Sequence, residues 1–299
     1  MYLLLAPVDS LQGPSNEESV PIPISIAYIN CVGHSKFPVA KQLEIQSFIC
    51  SQKLDIIHLQ ECKIDEDSFS NCGLVTNNFN IFSNNKPDKS FYWTASVVRS
   101  DLEVTKIHTD DDRRVIVFDA AGCTWANFYL PCGSGHTTRA SRENYCSLII
   151  PQLMIRKLSQ GAAGGDFNSI IDLQDSVKFP HNKIYPLCKN LIRAFSWSDS
   201  FCKLHPRDVQ YSRYQGANGE GATRIDRSYH WGSLQVSDAA YLSISFLDHL
   251  SLRVTYFLPH KLDRHLAPQS PPSYKIPPSV VNDDLFQTHL KSSMAKWLS

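Results

Sequence analysis

Short apolar runs rich in β-branched and aromatic residues recur along the whole chain, and helical patterns separate only a few of them. ISIAYIN and LDIIHLQE are early examples, and TRIDRSYHWG and LDHLSLRVTYF are late ones. Runs of this kind are typical of β-strands. Because they occur in both halves of the chain, the pattern favours an α/β protein with two packed sheets covered by helices over a single doubly wound sheet.

Three stretches carry helical patterns. The first spans Val39 to Ile49, the second spans Arg139 to Leu158, and the third is YPLCKNLIRAF. Proline lacks a backbone N–H and its ring crowds the preceding turn, so Pro151 is expected to interrupt the second helix.

Composition shifts near both ends predict three parts of the chain. Residues 1–22 form the expected flexible leader, because residues 9–22 are polar and rich in Pro, Gly and Ser. Residues 23–257 carry all the strand patterns and form the expected domain. Residues 258–299 begin with a proline-rich linker and continue into a predicted amphipathic helix.

Charge and cysteine content narrow the class of protein. The chain has 29 basic and 29 acidic residues, which argues against a generally basic nucleic-acid coat but permits a local basic face. Its 9 cysteines form no CxxC pair, which favours a reducing compartment. MYLLLAP is too short and lacks the basic residues of a signal peptide, and no apolar run reaches transmembrane length. A nuclear or cytoplasmic location is therefore expected.

Polar side chains stand at the ends of the apolar runs. Singly, each reads by default as a turn, cap or ordinary surface residue. Glu61 is harder to dismiss, because a carboxylate directly after IIHLQ lies at the rim of a buried sheet and needs a partner or a metal. The set comprises Asn30, Glu61, Asn127, Tyr129, Asp166, Asn168, Asp226, Asp248 and His249.

If these side chains converge, they form an oxygen-rich site of the type that Mg²⁺ prefers, with a titratable imidazole beside it. Phosphoester hydrolysis needs such parts: a cation that offsets charge, an oriented water, and donors to the phosphoryl oxygens.

Six blocks follow one another in the order N-x-x-G, LQE, NFYLP, GGDFN, RID and DH. This order resembles the endonuclease/exonuclease/phosphatase superfamily over roughly Ile24 to Phe257. The resemblance implies a four-layered α/β sandwich of two packed mixed β-sheets flanked by helices. It also implies a metal-dependent phosphodiester hydrolase.

Within that superfamily, the chain looks most like the endonuclease domain of non-LTR (LINE-type) retrotransposons. TRIDRSYH follows the Gly-rich stretch GANGEGA, and IPPSVVNDDLFQTHLKSSMAKW resembles the linker that precedes their reverse transcriptase. The resemblance implies an endonuclease that nicks double-stranded target DNA for target-primed reverse transcription. It also implies a reverse-transcriptase domain C-terminal to this segment in the full polyprotein.

The resemblance implies a metal role for three residues. Glu61 would be the main Mg²⁺ ligand, with Asn30 and Asp248 near the metal, and Mn²⁺ is expected to substitute.

It also implies roles around the phosphate. Asp166 would orient or deprotonate the attacking water, Asn168 would hold the phosphate, and Tyr129 would donate to a phosphoryl oxygen. His249 would contact the phosphate and be oriented by Asp226.

Three further residues are expected to contact DNA. Arg224 and Arg227 flank Asp226 and are placed to reach the DNA backbone, and Asn127 is added to the same group. Arg113 and Arg114 follow three aspartates and are interpreted as part of a solvated turn.

The chain departs from the family pattern at two positions. Val32 stands where the family commonly has Asn, and Leu247 replaces the Ser that usually precedes Asp-His. Three alternatives stay open: an abasic-site repair nuclease, another phosphoesterase of the superfamily, and a catalytically weak binding module. Thr223 stands where repair nucleases typically have Trp, which disfavours the first.

Overall fold

The computed structural model describes residues 22–32, 39–62, 78–83, 93–133, 135–155, 157–177, 186–215, 221–245 and 247–258. The expected leader before Ile22 and the expected linker and helix after Leu258 lie outside the described residues. Strands are numbered along the chain, and the described ones run from Pro23 to Phe257.

Two large sheets and one small sheet contain the described strands. Sheet I has the spatial order β14 (Gln235–Leu242), β15 (Ser251–Phe257), β1 (Pro23–Asn30), β2 (Ile56–Cys62), β4 (Trp93–Arg99) and β3 (Phe79–Ser83). Sheet II has the order β10 (Ser198–Asp199), β13 (Asp226–Trp231), β8 (Gly161–Asp166), β7 (Cys123–Tyr129), β6 (Val115–Ala120) and β5 (Val104–Thr109). The small sheet has the order β11 (Arg213–Gln215), β12 (Gly221–Thr223) and β9 (Ser176–Val177).

Both large sheets are mixed. Within sheet I, β1 pairs with β2 in parallel, and within sheet II, β7 pairs with β8 in parallel. The other strand pairs in both sheets are antiparallel among the residues described.

The two faces of β1 contact two different apolar cores. In β1, Ile26 and Tyr28 point between the sheets, where they join Trp125 of β7, while the alternate residues Ala27 and Ile29 face outward. This period of two is the geometry of a strand that is buried on both faces.

Among the described residues are five α-helices; three of them cover the outer faces of the sheets, whereas Phe201 of the last one packs into the core between the sheets. The five helices are α1 (Val39–Ser51), α2 (His136–Asn144), α3 (Ile150–Met154), α4 (Pro186–Ala194) and α5 (Ser200–Leu204). Ile45 and Ile49 of α1 pack on sheet I, whereas residues of α3 and α4 pack on sheet II. The predicted four-layered α/β sandwich is therefore confirmed. No helix in the described part of the chain is long and apolar enough to cross a membrane.

The irregularity in the helix that contains Pro151 lies in the turn before the proline, and the helix does not break there. The helix begins at His136, passes through a π-helical turn at Tyr145–Ile149, and resumes as α3 with Pro151 in its first turn. The π-helical turn absorbs the change instead of a full break.

Two glycines explain why GG precedes Asp166. A Cβ at Gly164 would lie 2.6 Å from the Tyr28 ring and 2.5 Å from the carbonyl oxygen of Arg227. Gly165 has φ +129°, a backbone conformation that L-residues with side chains rarely adopt. Gly164 therefore lets Tyr28 of sheet I approach β8 closely, and Gly165 lets the backbone of the neighbouring strand β7 do so at the point where β8 ends.

Candidate active site

The ends of the central strands meet at one edge of the sandwich. Asn30 ends β1, Tyr129 ends β7, and Asp166 ends β8. Asp226 begins the antiparallel strand β13 and pairs with Asp166, and His249 comes just before β15. Carboxyl ends of parallel strands meet at one edge of a sheet, and that edge is where α/β proteins place their ligand sites.

Asp166 is fully buried and held from three sides. Its carboxylate accepts hydrogen bonds from the Asn30 Nδ2 at 3.0 Å, the Asn168 backbone N–H at 2.7 Å and the Asn168 Nδ2 at 2.9 Å. Burial raises the pKa of Asp166, and the nearby Asp226 carboxylate raises it further. A carboxylate of this kind is suited to accept a proton near neutral pH.

Asp226 and His249 form the expected carboxylate–imidazole pair. The Nδ1 of His249 lies 2.7 Å from the Oδ2 of Asp226, and both side chains are almost fully buried. Burial alone would lower the pKa of His249, but the Asp226 carboxylate outweighs it and raises the pKa to about 9. The imidazole is therefore a cation at neutral pH, able to donate to a phosphoryl oxygen.

A hydrogen bond with Tyr129 connects Glu61 to the site. The hydroxyl of Tyr129 donates to the Oε1 of Glu61 at 2.9 Å, which joins the end of β2 in sheet I to the end of β7 in sheet II. Burial raises the pKa of Tyr129, and the Glu61 carboxylate raises it further, so the phenol keeps its proton and acts as a donor.

Among the described residues, Asp166, Asp226 and His249 form a group whose ligand atoms lie within 4.8 Å of one another. Glu61 and Asp248, two of the predicted metal ligands, are outside that group. Asp248 is 43% exposed and its Oδ2 lies 3.2 Å from the guanidinium of Arg213. The metal roles of Glu61, Asn30 and Asp248 stay predictions.

The side chain of Asn168 forms its hydrogen bonds within the protein. Both hydrogens of its side-chain amide are engaged, one with Asp166 and the other with the carbonyl oxygen of Leu130 at 2.9 Å. Its observed role is to fix Asp166, and phosphate binding by Asn168 stays a prediction.

Three residues at these strand ends have left-handed backbone conformations. Val32 has φ +53°, Glu61 has φ +50°, and Asn168 has φ +46°. Such conformations cost on the order of 1–3 kcal/mol in non-glycine residues and persist where the surroundings enforce them. For Val32 the enforcing contact is its N–H, which donates to the Oδ1 of Asn30 at 2.8 Å.

The prediction that Asn127 contacts DNA is wrong, because its side chain is not accessible to DNA. Its side chain is fully buried between the sheets, donates to the carbonyl oxygens of Leu59 and Ala95, and accepts from the Gln60 amide at 2.7 Å. A buried polar group must satisfy its hydrogen bonds inside the protein, and Asn127 does so by joining the two sheets.

The prediction that Arg224 and Arg227 reach the DNA backbone is also wrong. Their exposed fractions are 5% and 3%. Arg224 binds both carboxylate oxygens of Asp199, at 2.6 and 2.5 Å, and Arg227 forms ion pairs with Asp175 and Asp199. These guanidinium groups hold the segment before β13 in place and do not face solvent, where a DNA backbone would lie.

Two cations near the site were missed by the sequence analysis. The guanidinium of Arg114, expected in a solvated turn, lies 4.7 Å from the centre of the Tyr129 ring. Arg142, which is 3% exposed, donates to the carbonyl oxygens of Pro131, Gly133 and Asn168. Arg142 thereby holds together the segments after β7 and β8, and no short motif in the sequence signals this contact.

Solved structures share this fold. An AP endonuclease from Archaeoglobus fulgidus has a TM-score of 0.65 and 17% identity, covering 77% of this chain and 98% of that one. The 3′ phosphatase NExo from Neisseria, bound to product DNA hairpin, has a TM-score of 0.64 and 19% identity with coverages of 77% and 98%. The human Nocturnin catalytic domain, with a bound sulfate anion, has a TM-score of 0.55 and 15% identity with coverages of 80% and 97%.

No protein-family model matches the chain, and no curated protein sequence matches it. The structural likeness establishes the endonuclease/exonuclease/phosphatase fold.

Proposed function

We propose that this chain is a metal-dependent phosphodiester hydrolase that nicks DNA. The observation that carries the proposal is the Asp226–His249 pair beside Asp166, a buried cationic donor adjacent to a buried carboxylate of raised pKa. The raised pKa of Asp166 suits it to accept a proton near neutral pH, and the raised pKa of His249 keeps its imidazole a cationic donor to a phosphoester oxygen.

The donor set fits a hard divalent cation. Asp166 and Asp226 bring two carboxylates close together in a buried site, and Glu61 adds a third carboxylate whose charge raises the pKa of Asp166 further. Of these, Glu61 would be the main ligand of Mg²⁺, with Asn30 and Asp248 near the metal and Mn²⁺ able to substitute. When bound, such an ion offsets charge on the phosphoryl group and on the leaving oxygen.

The protein's own groups then have defined tasks. Asp166 accepts a proton from the attacking water, whose oxygen forms a new bond to phosphorus as the bond to the leaving oxygen breaks. His249 donates to a non-bridging phosphoryl oxygen, and Asp226 keeps the imidazole oriented and protonated. Asn30 and Asn168 hold the Asp166 carboxylate in position.

The retrotransposon context of the proposal comes from the sequence. TRIDRSYH and the tail from Ile276 resemble LINE-type segments, which supports target-primed reverse transcription and a reverse-transcriptase domain C-terminal to this segment. Double-stranded DNA is the proposed substrate, and a nuclear or cytoplasmic location goes with it.

Abasic-site repair is the second candidate, because an AP endonuclease and a DNA 3′ phosphatase share the fold. An undamaged supercoiled plasmid and an oligonucleotide with one abasic site separate the two candidates. A retrotransposon-type enzyme nicks the plasmid, whereas a repair enzyme cuts only the abasic oligonucleotide.

Glu61 provides the test of metal dependence. With Mg²⁺, supercoiled plasmid should become open circle, and EDTA should prevent this. Glu61→Ala should slow nicking at least about a hundredfold, because a cation of this kind supplies several kcal/mol of charge stabilisation. Glu103→Ala, which removes an exposed glutamate outside the site, is the matched control and should nick at the native rate. Undiminished nicking by Glu61→Ala would show that the assignment is wrong.

A further inference from the structure

Ser212 lies beside the Asp226–His249 pair without belonging to any strand that carries a site residue. It directly precedes β11, and its side chain is fully buried. Nothing in the six sequence blocks includes it.

The hydrogen bonds of Ser212 reach both segments that carry the pair. Its Oγ accepts the backbone N–H groups of Ile225 and Asp226, each at 3.0 Å. Its backbone carbonyl oxygen accepts the N–H of Leu250 at 2.6 Å, one residue after His249. A single residue therefore contacts the start of β13 and the segment before β15.

These two segments belong to different sheets. Asp226 lies in sheet II and His249 precedes a strand of sheet I, so no shared strand ladder fixes the distance between them. Arg213 adds a β-bridge with His249 next to Ser212, which strengthens the same connection. Leu247 has no polar side-chain atom with which to hold the neighbouring Asp248–His249 segment, and it packs on the apolar cluster beneath α1 instead.

We propose that Ser212 is a positioning residue that sets the contact between Asp226 and His249 by binding the backbone on both sides of it. The proposal rests on the proposed function for its effect on hydrolysis, but its effect on the pair is independent of activity. Ser212→Ala removes the hydroxyl and leaves two buried N–H groups without their acceptor, so the start of β13 shifts relative to His249.

A spectroscopic test needs no substrate. The hydrogen-bonded Nδ1–H of His249 should give a low-field proton resonance in metal-free protein, identified by its absence in His249→Gln. Ser212→Ala should shift or abolish this resonance, whereas Ser212→Thr, which keeps an acceptor oxygen, should retain it. Ser200→Ala removes another fully buried serine hydroxyl, one that bonds His230 and Tyr256, and should leave the resonance unchanged.

Should Ser212→Ala fail to fold, Ser212→Cys replaces it, because sulfur has nearly the same shape but is a weak acceptor. The proposal is overturned if the resonance keeps its native position in the folded Ala or Cys variant.

A kinetic cycle tests the consequence for hydrolysis. In the native background, Ser212→Ala should lower the nicking kcat by on the order of tenfold to a hundredfold with little change in KM, because a misplaced catalytic group costs about that much. In the His249→Gln background the same change should have little further effect. Equal losses in both backgrounds would show that Ser212 acts only on overall structure. If the native protein does not nick DNA while the resonance still depends on Ser212, the proposed function fails and the positioning role stands.

Discussion

At the scale of single residues, burial decides what the titratable groups can do. The same carboxylate of Asp226 raises the pKa of both neighbours, Asp166 by repulsion between like charges and His249 by attraction. Removing the charge of Asp226 should therefore lower the pKa of both Asp166 and His249.

We expect the metal-free protein to lose stability as pH rises above neutrality. His249 has a folded-state pKa of about 9 against 6.5 for the free side chain, so the folded state binds its proton more tightly. This contribution is fully present below pH 6.5 and is lost as pH rises through about 9. The free energy of unfolding, measured by urea denaturation with EDTA present, should fall by up to about 3 kcal/mol over this range.

Asp226→Asn is the matching variant, because it removes the charge that raises the pKa of His249 while keeping the side-chain shape. Its stability should vary much less between pH 6.5 and 9. Equal slopes for the native protein and Asp226→Asn would mean that the pair does not hold the proton.

Site residues were predictable where strand ends placed them, and unpredictable where partners came from elsewhere. Asp166, Asp226 and His249 follow from strand-end position and block order, and the structure brings them together. Arg224 and Arg227 look like DNA-binding cations in the sequence, because their partners Asp175 and Asp199 lie far along the chain. A charge pattern cannot show which acid will neutralise a given arginine.

At the scale of elements, β8 has the tightest packing requirement in the site. We expect Gly164→Ala to destabilise the protein by roughly 1–3 kcal/mol, since the new methyl group would overlap the Tyr28 ring and the Arg227 carbonyl oxygen. Gly135→Ala is the control, because a Cβ there meets nothing within 4 Å and weakens a helix cap by only about 0.5 kcal/mol. Urea denaturation of both variants measures the difference, and equal losses would refute the packing argument.

The elements themselves were predictable in type but not in their irregularities. Apolar runs located β1 and β2 because each is buried on both faces. The π-helical turn before Pro151 was not foreseen, since a proline in a sequence indicates a disturbance without specifying its form.

At the scale of the whole molecule, two sheets share one site. Asn30 and Glu61 come from sheet I, while Tyr129, Asp166 and Asp226 come from sheet II. Asn127 joins the sheets in the core, and the Glu61–Tyr129 bond joins them at the edge. The two large sheets were predictable from the many strand patterns and the small third sheet was not, and the relative position of the large sheets depends on buried contacts such as these.

A chain ending at His260 should keep its fold and its nicking activity. The last described strand ends at Phe257, where it pairs with Pro23 and Gln235. The melting temperature and the plasmid-nicking rate of this shortened chain, compared with those of the 299-residue chain, measure the contribution of the tail. A large loss of either would place the tail in the domain and contradict the boundary proposed at residue 257.

The pairing of β1 with β15 also has a consequence for protein synthesis. Along most of its length the first described strand lies between β2 and the last described strand, with Ile24 opposite Tyr256. A ribosome that has translated as far as β14 has not yet made His249 or β15, so the emerging chain contains Asp166 without its cationic neighbour. We therefore expect the proposed nuclease to gain activity only after synthesis has passed Phe257.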